Sequence, residues 1–153
     1  MKRQTIDSSG FAFLLQNTIL TICKEGKDMF YCLIVGSRYF TDYPYFAGEM
    51  DHLLQNQEKV TIVSGGAKGT DTMAKLYAEE RGYPYREFPA DWSQGRSAGY
   101  RRNWQMHEYI SQFPQRGCVA FWNGDPDSGT AHSFRLAKEF CNPLKIVNIN
   151  AHS

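Results

Sequence analysis

No charge of one sign prevails in this sequence. Across 153 residues, 17 Lys and Arg face 16 Asp and Glu, a formal net charge of +1 at pH 7. Proteins that grip duplex DNA through its phosphates usually carry a clearly basic balance, so an extended nucleic-acid footprint is disfavoured. Long apolar runs are also missing. The longest, Met29 to Val35, has seven residues, against the roughly 20 that a membrane-spanning helix needs, and no membrane partner is expected. Paired cysteines are missing too: Cys23, Cys32, Cys118 and Cys141 form no C-x-x-C. Cys32 and Cys118 fall inside apolar runs and read as buried free thiols of a reducing, cytoplasmic compartment. Lys2 and Arg3 precede an apolar patch at Phe11–Leu15, but Asp7 stands before it, Gln16 and Asn17 end it, and no A-x-A site follows. That argues against a signal peptide. His52, His107, His132 and His152 have no ligand spacing with one another or with the cysteines, so no metal site is expected, and no cofactor is assigned.

What is present is an ordinary globular mixture, 42% hydrophobic and 22% charged, unlike disordered or fibrous chains. At this length a single core buries about 70% of the unfolded chain's surface. From Phe30 onward, short apolar runs alternate with longer amphipathic stretches, the pattern of βαβ units around a parallel sheet. Strands are expected at Phe30–Val35, Val60–Ser64, Tyr85–Phe88, Cys118–Trp122 and Lys145–Ile149, with helices at Tyr45–Gln55, Thr70–Arg81, Gly99–Phe113 and Thr130–Phe140. In the second helix Met73, Ala74, Tyr77 and Ala78 share one face and Gly82 is placed to end it. Pro44 suits the first turn of the first helix. Residues 1–28 stand outside this alternation and read as an N-terminal extension to a domain at 29–153. The expected fold is a three-layer α/β Rossmann-like domain whose five-stranded parallel sheet has the order 3-2-1-4-5.

The glycines are distributed unevenly. Loops that follow strands hold Gly36, Gly65, Gly66, Gly69, Gly95, Gly99, Gly124 and Gly129, eight of the 13, whereas loops that follow helices hold Gly82 and Gly117. In open α/β sheets, ligands bind outside the carboxyl ends of the strands. There glycines let the backbone approach a ligand, and helix N-termini offer unpaired N–H groups.

Four segments carry the chemistry. Gly36-Ser37-Arg38 ends the first strand with a guanidinium that can fork onto phosphate oxygens. Ser64-Gly65-Gly66-Ala67-Lys68-Gly69-Thr70-Asp71 is neither a Walker A loop nor a G-x-G-x-x-G fingerprint, but it likewise feeds a Gly-rich turn into a helix start, with Lys68 to supply charge. Thr70 or Asp71 is placed to cap that helix, and Asp71 is equally placed to meet a ribose hydroxyl. Asp91-Trp92, Gly95-Arg96 and Arg101-Arg102-Asn103 follow, and from Ser93 to Arg116 there are four arginines against Glu108. Arg96 and Asn103 are the groups expected nearest the ligand. Trp92 is placed to stack on a base or to pack under its loop, packing being the default for such a residue, and Arg101 and Arg102 cannot both face inward from one helix. Finally, Asn123-Gly124-Asp125-Pro126-Asp127-Ser128-Gly129-Thr130 enters the last long helix, with Asp125 and Asp127 as candidate acid/base groups, though acidic loop residues are usually just solvated, and Ser128-Gly129-Thr130 as a second helix-start anion site.

Together Ile34–Arg38, Val63–Asp71, Phe88–Trp92, Gly95–Asn103 and Ser128–Thr130 resemble the YspA/YpsA-related branch of the SLOG superfamily. The resemblance covers Phe30 to about Ile149 and implies a Rossmann-like fold that binds nucleotides or nucleotide-derived ligands. Two groups of relatives pull the expected function apart. Lonely-Guy-type hydrolases cleave the N-glycosidic bond of nucleoside monophosphates with a P-G-G-x-G-T-x-x-E loop. Here Gly129-Thr130 leads to Ser133 where the Glu would stand, which leaves Asp91 or Asp127 as acid/base candidates. The DNA-processing protein A family shares the turn matched by Ser64–Asp71 and the Arg-Asn pair matched by Arg102-Asn103, and binds single-stranded DNA.

The preferred expectation is binding of a phosphate-bearing nucleotide or nucleotide-derived small molecule at the carboxyl edge of the sheet, as a sensor. The expected ligand-binding residues are Gly36, Ser37, Arg38, Gly65, Gly66, Lys68, Gly69, Asp71, Asp91, Arg96, Asn103, Gly129 and Thr130. An N-glycosidic-bond hydrolase and a single-stranded nucleic-acid module are the alternatives. The oligomeric state is open, a homo-oligomer included.

Overall fold

A computed structural model of the chain describes residues 29–150, together with the backbone of an antiparallel pair at residues 2–4 and 6–7. The apolar patch Phe11–Leu15, Cys23 and His152 lie outside the described residues. Strand β1 (Met29–Gly36) is central, pairing in parallel with β2 (Lys59–Ser64) on one side and β4 (Arg116–Trp122) on the other. The edges are β3 (Tyr85–Glu87) beside β2 and β5 (Leu144–Asn148) beside β4, so the order is 3-2-1-4-5, as expected.

Side chains alternate across the pleat, and that alternation builds two cores. Cys32 and Ile34 of β1, with Val60, Ile62, Val119 and Phe121, face helices α1 (Tyr43–Leu53) and α2 (Thr70–Arg81). Leu33 and Val35, with Val63, Cys118 and Ala120, face α3 (Ala98–Ile110), and Phe134 of α4 (Gly129–Glu139) packs against that same cluster. Buried Cys32 and Cys118 are free, and burial pushes both thiols up, Cys32 to about 12. Neither is a reactive thiolate.

The helix ends follow local chemistry. The α2 helix runs over Thr70–Arg81 and closes on Gly82 in a left-handed conformation, φ 71°. Pro44 lies in the first turn of α1, whose cap is Asp42, accepting from the Tyr45 N–H at 3.2 Å. The α3 helix stops at Ile110, short of the expected Phe113, because Phe113 turns to stack on Tyr31 with ring centroids 3.6 Å apart. Strand β4 starts two residues earlier than expected, at Arg116. The Arg116 guanidinium is anchored there on Asn142 Oδ1 at 2.6 Å and on the Phe113 and Cys141 carbonyls.

After β1 the chain leaves toward α1 on one face, and after β4 it leaves toward α4 on the other. The neighbouring strands β1 and β4 therefore part at their carboxyl ends, and a crevice opens between the loops that follow them. Among the described residues, no helix is long and apolar enough to cross a membrane.

Both described cores draw on residues from 30 to 149. We propose Met29 as the domain boundary: a chain starting there is expected to stay soluble and melt in one sharp transition. A broad, non-cooperative melt in differential scanning calorimetry would instead make residues 1–28 part of the core.

Candidate functional site

The loop after β1 is fixed by its neighbours. Ser37 N–H donates to Phe121 O at 3.0 Å, and Ser37 Oγ accepts the Tyr39 N–H at 3.1 Å. Ser37 O accepts from both the Thr70 N–H at 3.2 Å and the Thr70 hydroxyl at 2.9 Å. A side chain at Gly36 would collide with Thr70. One at Gly69, where φ is +72°, would run into the Ser37 and Arg38 carbonyls. The start of α2 is thus partly filled by the protein's own backbone.

Neither Thr70 nor Asp71 caps α2 as expected from the sequence; the cap position is Gly69, with no side-chain bond. The Thr70 hydroxyl is committed to Ser37, and Asp71 reaches back into its loop to accept the Ala67 N–H at 3.0 Å. Asp71 is buried, and desolvation pushes its carboxyl above 3.8, against the pull of the Ala67 N–H, the Arg102 charge and the Ser64 hydroxyl. Such a group binds its proton more tightly in the folded state than in the unfolded one. The cost of its buried charge is therefore relieved as pH falls through the folded pKa toward 3.8. Relative to Asp71→Asn, which keeps an acceptor for Ala67, the native chain is expected to gain stability as pH is lowered through that window. Paired urea melts from neutral pH to below 3.8 check the sign, and a relative loss over that range would refute it.

Arg102 and Asn103 tie α3 to the neighbouring loops. Arg102 Nη1 donates to Gly65 O and its Nε to Asn103 Oδ1 at 3.2 Å, while Asn103 Nδ2 donates to Gly129 O at 3.3 Å. Arg101 points outward to Gln94 Oε1 at 2.6 Å. The segment between β3 and α3 carries the short turn Trp92–Gln94, with Trp92 59% exposed rather than packed under the loop. Asp91 is consumed by that turn, accepting from the Ser93 N–H, the Ser93 hydroxyl and Gln94 Nε2 at 3.2, 2.5 and 2.9 Å. These donors hold its carboxyl below the usual range.

These loops enclose a cavity of two lobes. The first, about 390 Å³, lies in the crevice between the β1 and β4 loops; the second, about 570 Å³, lies over the β2 loop. They share Arg38, Tyr39, Ala67, Trp92 and Arg102. Of the residues expected from the sequence, Gly36, Ser37, Arg38, Asp71, Arg96, Asn103, Gly129 and Thr130 line the first lobe. Gly65, Gly66 and Lys68, again with Arg38, line the second. Gly69 and Asp91 line neither: Gly69 is pressed on the β1 loop and Asp91 serves its own turn. Asp127 is outside both lobes, and Ser133 is fully buried. The carboxylates that do line the first lobe are Asp71 and Asp125.

Two helix starts open into the first lobe. No side chain caps α3, and among the described residues the Gly99 and Tyr100 N–H groups have no acceptor. At α4 the Ser128 hydroxyl takes the Ala131 N–H at 3.1 Å, leaving those of Gly129 and Thr130 free. Unpaired N–H groups at helix starts attract anions, and Arg38, Arg96 and Arg102 line the same space. Arg102, Tyr39, Tyr100 and Asn123 were not singled out for the site from the sequence. A signal for Arg102 exists: it lies four and eight residues before buried Met106 and Ile110, on the inward stripe of α3.

A doubly wound parallel sheet with its cavity at the strand-order reversal defines a Rossmann-like α/β domain. Residues 32–95 match the family model YAcAr, described as the YspA, cpYpsA-related SLOG family, so the stretch from β1 to the Trp92 turn carries that family's pattern. No curated protein matches the chain. Among solved structures, DNA processing protein A from Helicobacter pylori, described for its single-stranded DNA binding mode, aligns with a TM-score of 0.55 at 20% identity, over 76% of this chain and 64% of that one. DNA processing protein A (DprA) from Streptococcus pneumoniae aligns with a TM-score of 0.56 at 18% identity, over 80% of this chain and 51% of that one. The chain thus spans between half and two thirds of the proteins it resembles, and the likeness is one of fold.

Proposed function

We propose that this chain binds a phosphate-bearing nucleotide or nucleotide-derived small molecule in the cavity at the carboxyl edge of its sheet, as a ligand-sensing module of a reducing, cytoplasmic compartment. The observation that carries the reading is the convergence of the uncapped α3 start and of the Gly129 and Thr130 N–H groups, which the Ser128 cap of α4 leaves open, with Arg38, Arg96 and Arg102 on the first lobe. The phosphate is assigned to the Gly99–Tyr100 and Gly129–Thr130 N–H groups rather than to the α2 start, where Ser37 O already takes the Thr70 donors. Asp71 and Asp125 are the acceptors available for sugar hydroxyls. The SLOG match and the Rossmann-like fold support a nucleotide as the ligand class.

A single-stranded nucleic acid is the second reading, favoured by the exposed Trp92 and Tyr39 rings and by the DNA processing protein A likeness. The charge balance of +1 weighs for the small ligand. The N-glycosidase reading has less support: Asp91 and Asp127 line neither lobe, and Asp125, which lines the first, already accepts the Asp127 N–H at 2.9 Å within its own turn.

Calorimetry across a salt series separates the readings. A mononucleotide is expected to bind with a shallow salt dependence, whereas a strand would lose affinity with a slope of roughly −0.7 per phosphate contact. Arg38→Ala is expected to weaken mononucleotide binding by about 1.5–3 kcal/mol, as a lost charge-assisted bond does, without lowering the melting temperature. Tight oligonucleotide binding with a steep slope would transfer the assignment to nucleic acid. An unchanged affinity in Arg38→Ala would remove Arg38 from the site.

A further inference from the structure

The cavity is larger and more cationic than one nucleotide needs, and its excess lies on one side. Either lobe alone, about 390 or about 570 Å³, falls within the range of about 300–1,000 Å³ for small-molecule sites. A mononucleotide seated on the α3 and α4 starts fills the first lobe and leaves the second empty. The second lobe differs in chemistry. Gly65 and Gly66 present backbone there, Lys68 adds a cation, Pro89 and Ala90 form a low wall, and no carboxylate lines it. Between the lobes stand Arg38 and Arg102, flanked by two aromatic side chains with open surface, Tyr39 at 75% and Trp92 at 59% exposure. Solvent-facing aromatic rings that line both lobes together with two cations offer stacking surfaces to bases, which every base can use.

We propose, resting on the nucleotide reading above, that the cavity takes a two-unit ligand: two nucleoside groups joined through phosphate. The bridge runs from the α3 and α4 starts to Arg38 and Arg102, one unit occupies each lobe, and Trp92 stacks on a base. The first lobe, with Asp71, Asn123 and Asp125 for sugar hydroxyls, selects its unit by hydrogen bonding. The second, built of backbone, Lys68 and apolar wall, accepts its unit by shape and charge. That chemistry has two sources, a free dinucleotide with a 5′–5′ diphosphate bridge or two successive nucleotides of a strand with a 3′–5′ link.

The test is calorimetry on the full chain with AMP, diadenosine 5′,5′-diphosphate and a 5′-phosphorylated deoxyadenosine dinucleotide with a 3′–5′ link. At least one two-unit ligand is expected to bind tenfold or more tightly than AMP, and the one that gains identifies the source. Ala90→Trp, which narrows the second lobe from its wall, is expected to remove the gain and leave AMP affinity unchanged. Lys68→Glu, on an exposed side chain, is expected to reduce the gain as well. AMP binding with no gain for either two-unit ligand would overturn the two-lobe proposal and leave the nucleotide reading standing. A gain that persists in both variants would overturn it too. Failure of AMP and both two-unit ligands to bind would overturn the nucleotide reading together with the proposal.

Discussion

Gly69→Ala is expected to cost about 3 kcal/mol or more of stability. Two effects add. The backbone at Gly69 has φ +72° and ψ −118°, a conformation that side chains other than hydrogen rarely tolerate, and such strain costs of order 1–3 kcal/mol. The new Cβ would also meet the Ser37 and Arg38 carbonyls. Those are main-chain atoms, and Ser37 is held by Thr70 and Phe121, so they cannot turn aside as a flexible side chain would. Gly82 supplies the control, since it has φ +71° but open space where its Cβ would stand. Gly82→Ala is expected to cost only about 1 kcal/mol, so the difference between the variants isolates the β1-loop contact. Denaturant melts measure both, and for a domain of this size 3 kcal/mol corresponds to roughly 6–12 °C in melting temperature. Equal losses in the two variants would mean that the α2 start is not packed on the β1 loop as described.

Arg102→Met is expected to damage stability and binding together. Methionine keeps much of the stem's packing, while the bonds to Gly65 O and Asn103 Oδ1 are lost. Gly65 O and the Asn103 side chain are partly or fully buried there, so the loss is about 1.5–3 kcal/mol. The Arg102 charge is also among the groups that pull the Asp71 carboxyl down. Without it that carboxyl rises further, and the deficit of the variant grows with pH above the native Asp71 pKa. Nucleotide affinity is expected to fall at least tenfold, because the cavity loses a cation and Asn103 loses an anchor. Arg101→Met, which gives up one exposed bond to Gln94, is expected to stay within about 0.5 kcal/mol of the parent chain. Chemical denaturation and calorimetry on this pair of neighbours distinguish the two arginines. Equal effects from both would remove Arg102 from the site.

The paired arginines show where reading the sequence stops. Helical spacing puts Arg102 on the stripe of Met106 and Ile110, but what it reaches there depends on where α3 sits against β2 and its loop. The same holds for the glycine-rich turn Ser64–Asp71. Its placement before a helix is visible in the residues, yet its vacancy is not, because the group that occupies the α2 start is Ser37 O, 33 residues away from Thr70 in the chain. Asp91 reads as a free carboxylate until the turn at Trp92–Gln94 brings three donors to it.

What could be read along the chain is what repeats or punctuates locally. The unbroken apolar run of β1, the helical stripe of α2 closed by Gly82, and the gathering of glycines after strands together determine the element order, the parallel sheet and the edge on which a ligand belongs. These follow from pleat, helical period and backbone freedom, which act over a few residues. Tertiary packing alone decided the rest: the two-lobed shape, the partners that Arg102 finds on Gly65 and Asn103, the open starts of α3 and α4 and the filled start of α2. Each depends on a donor or acceptor brought in from a distant loop, and a hydrogen bond of that kind leaves no periodic mark in the sequence.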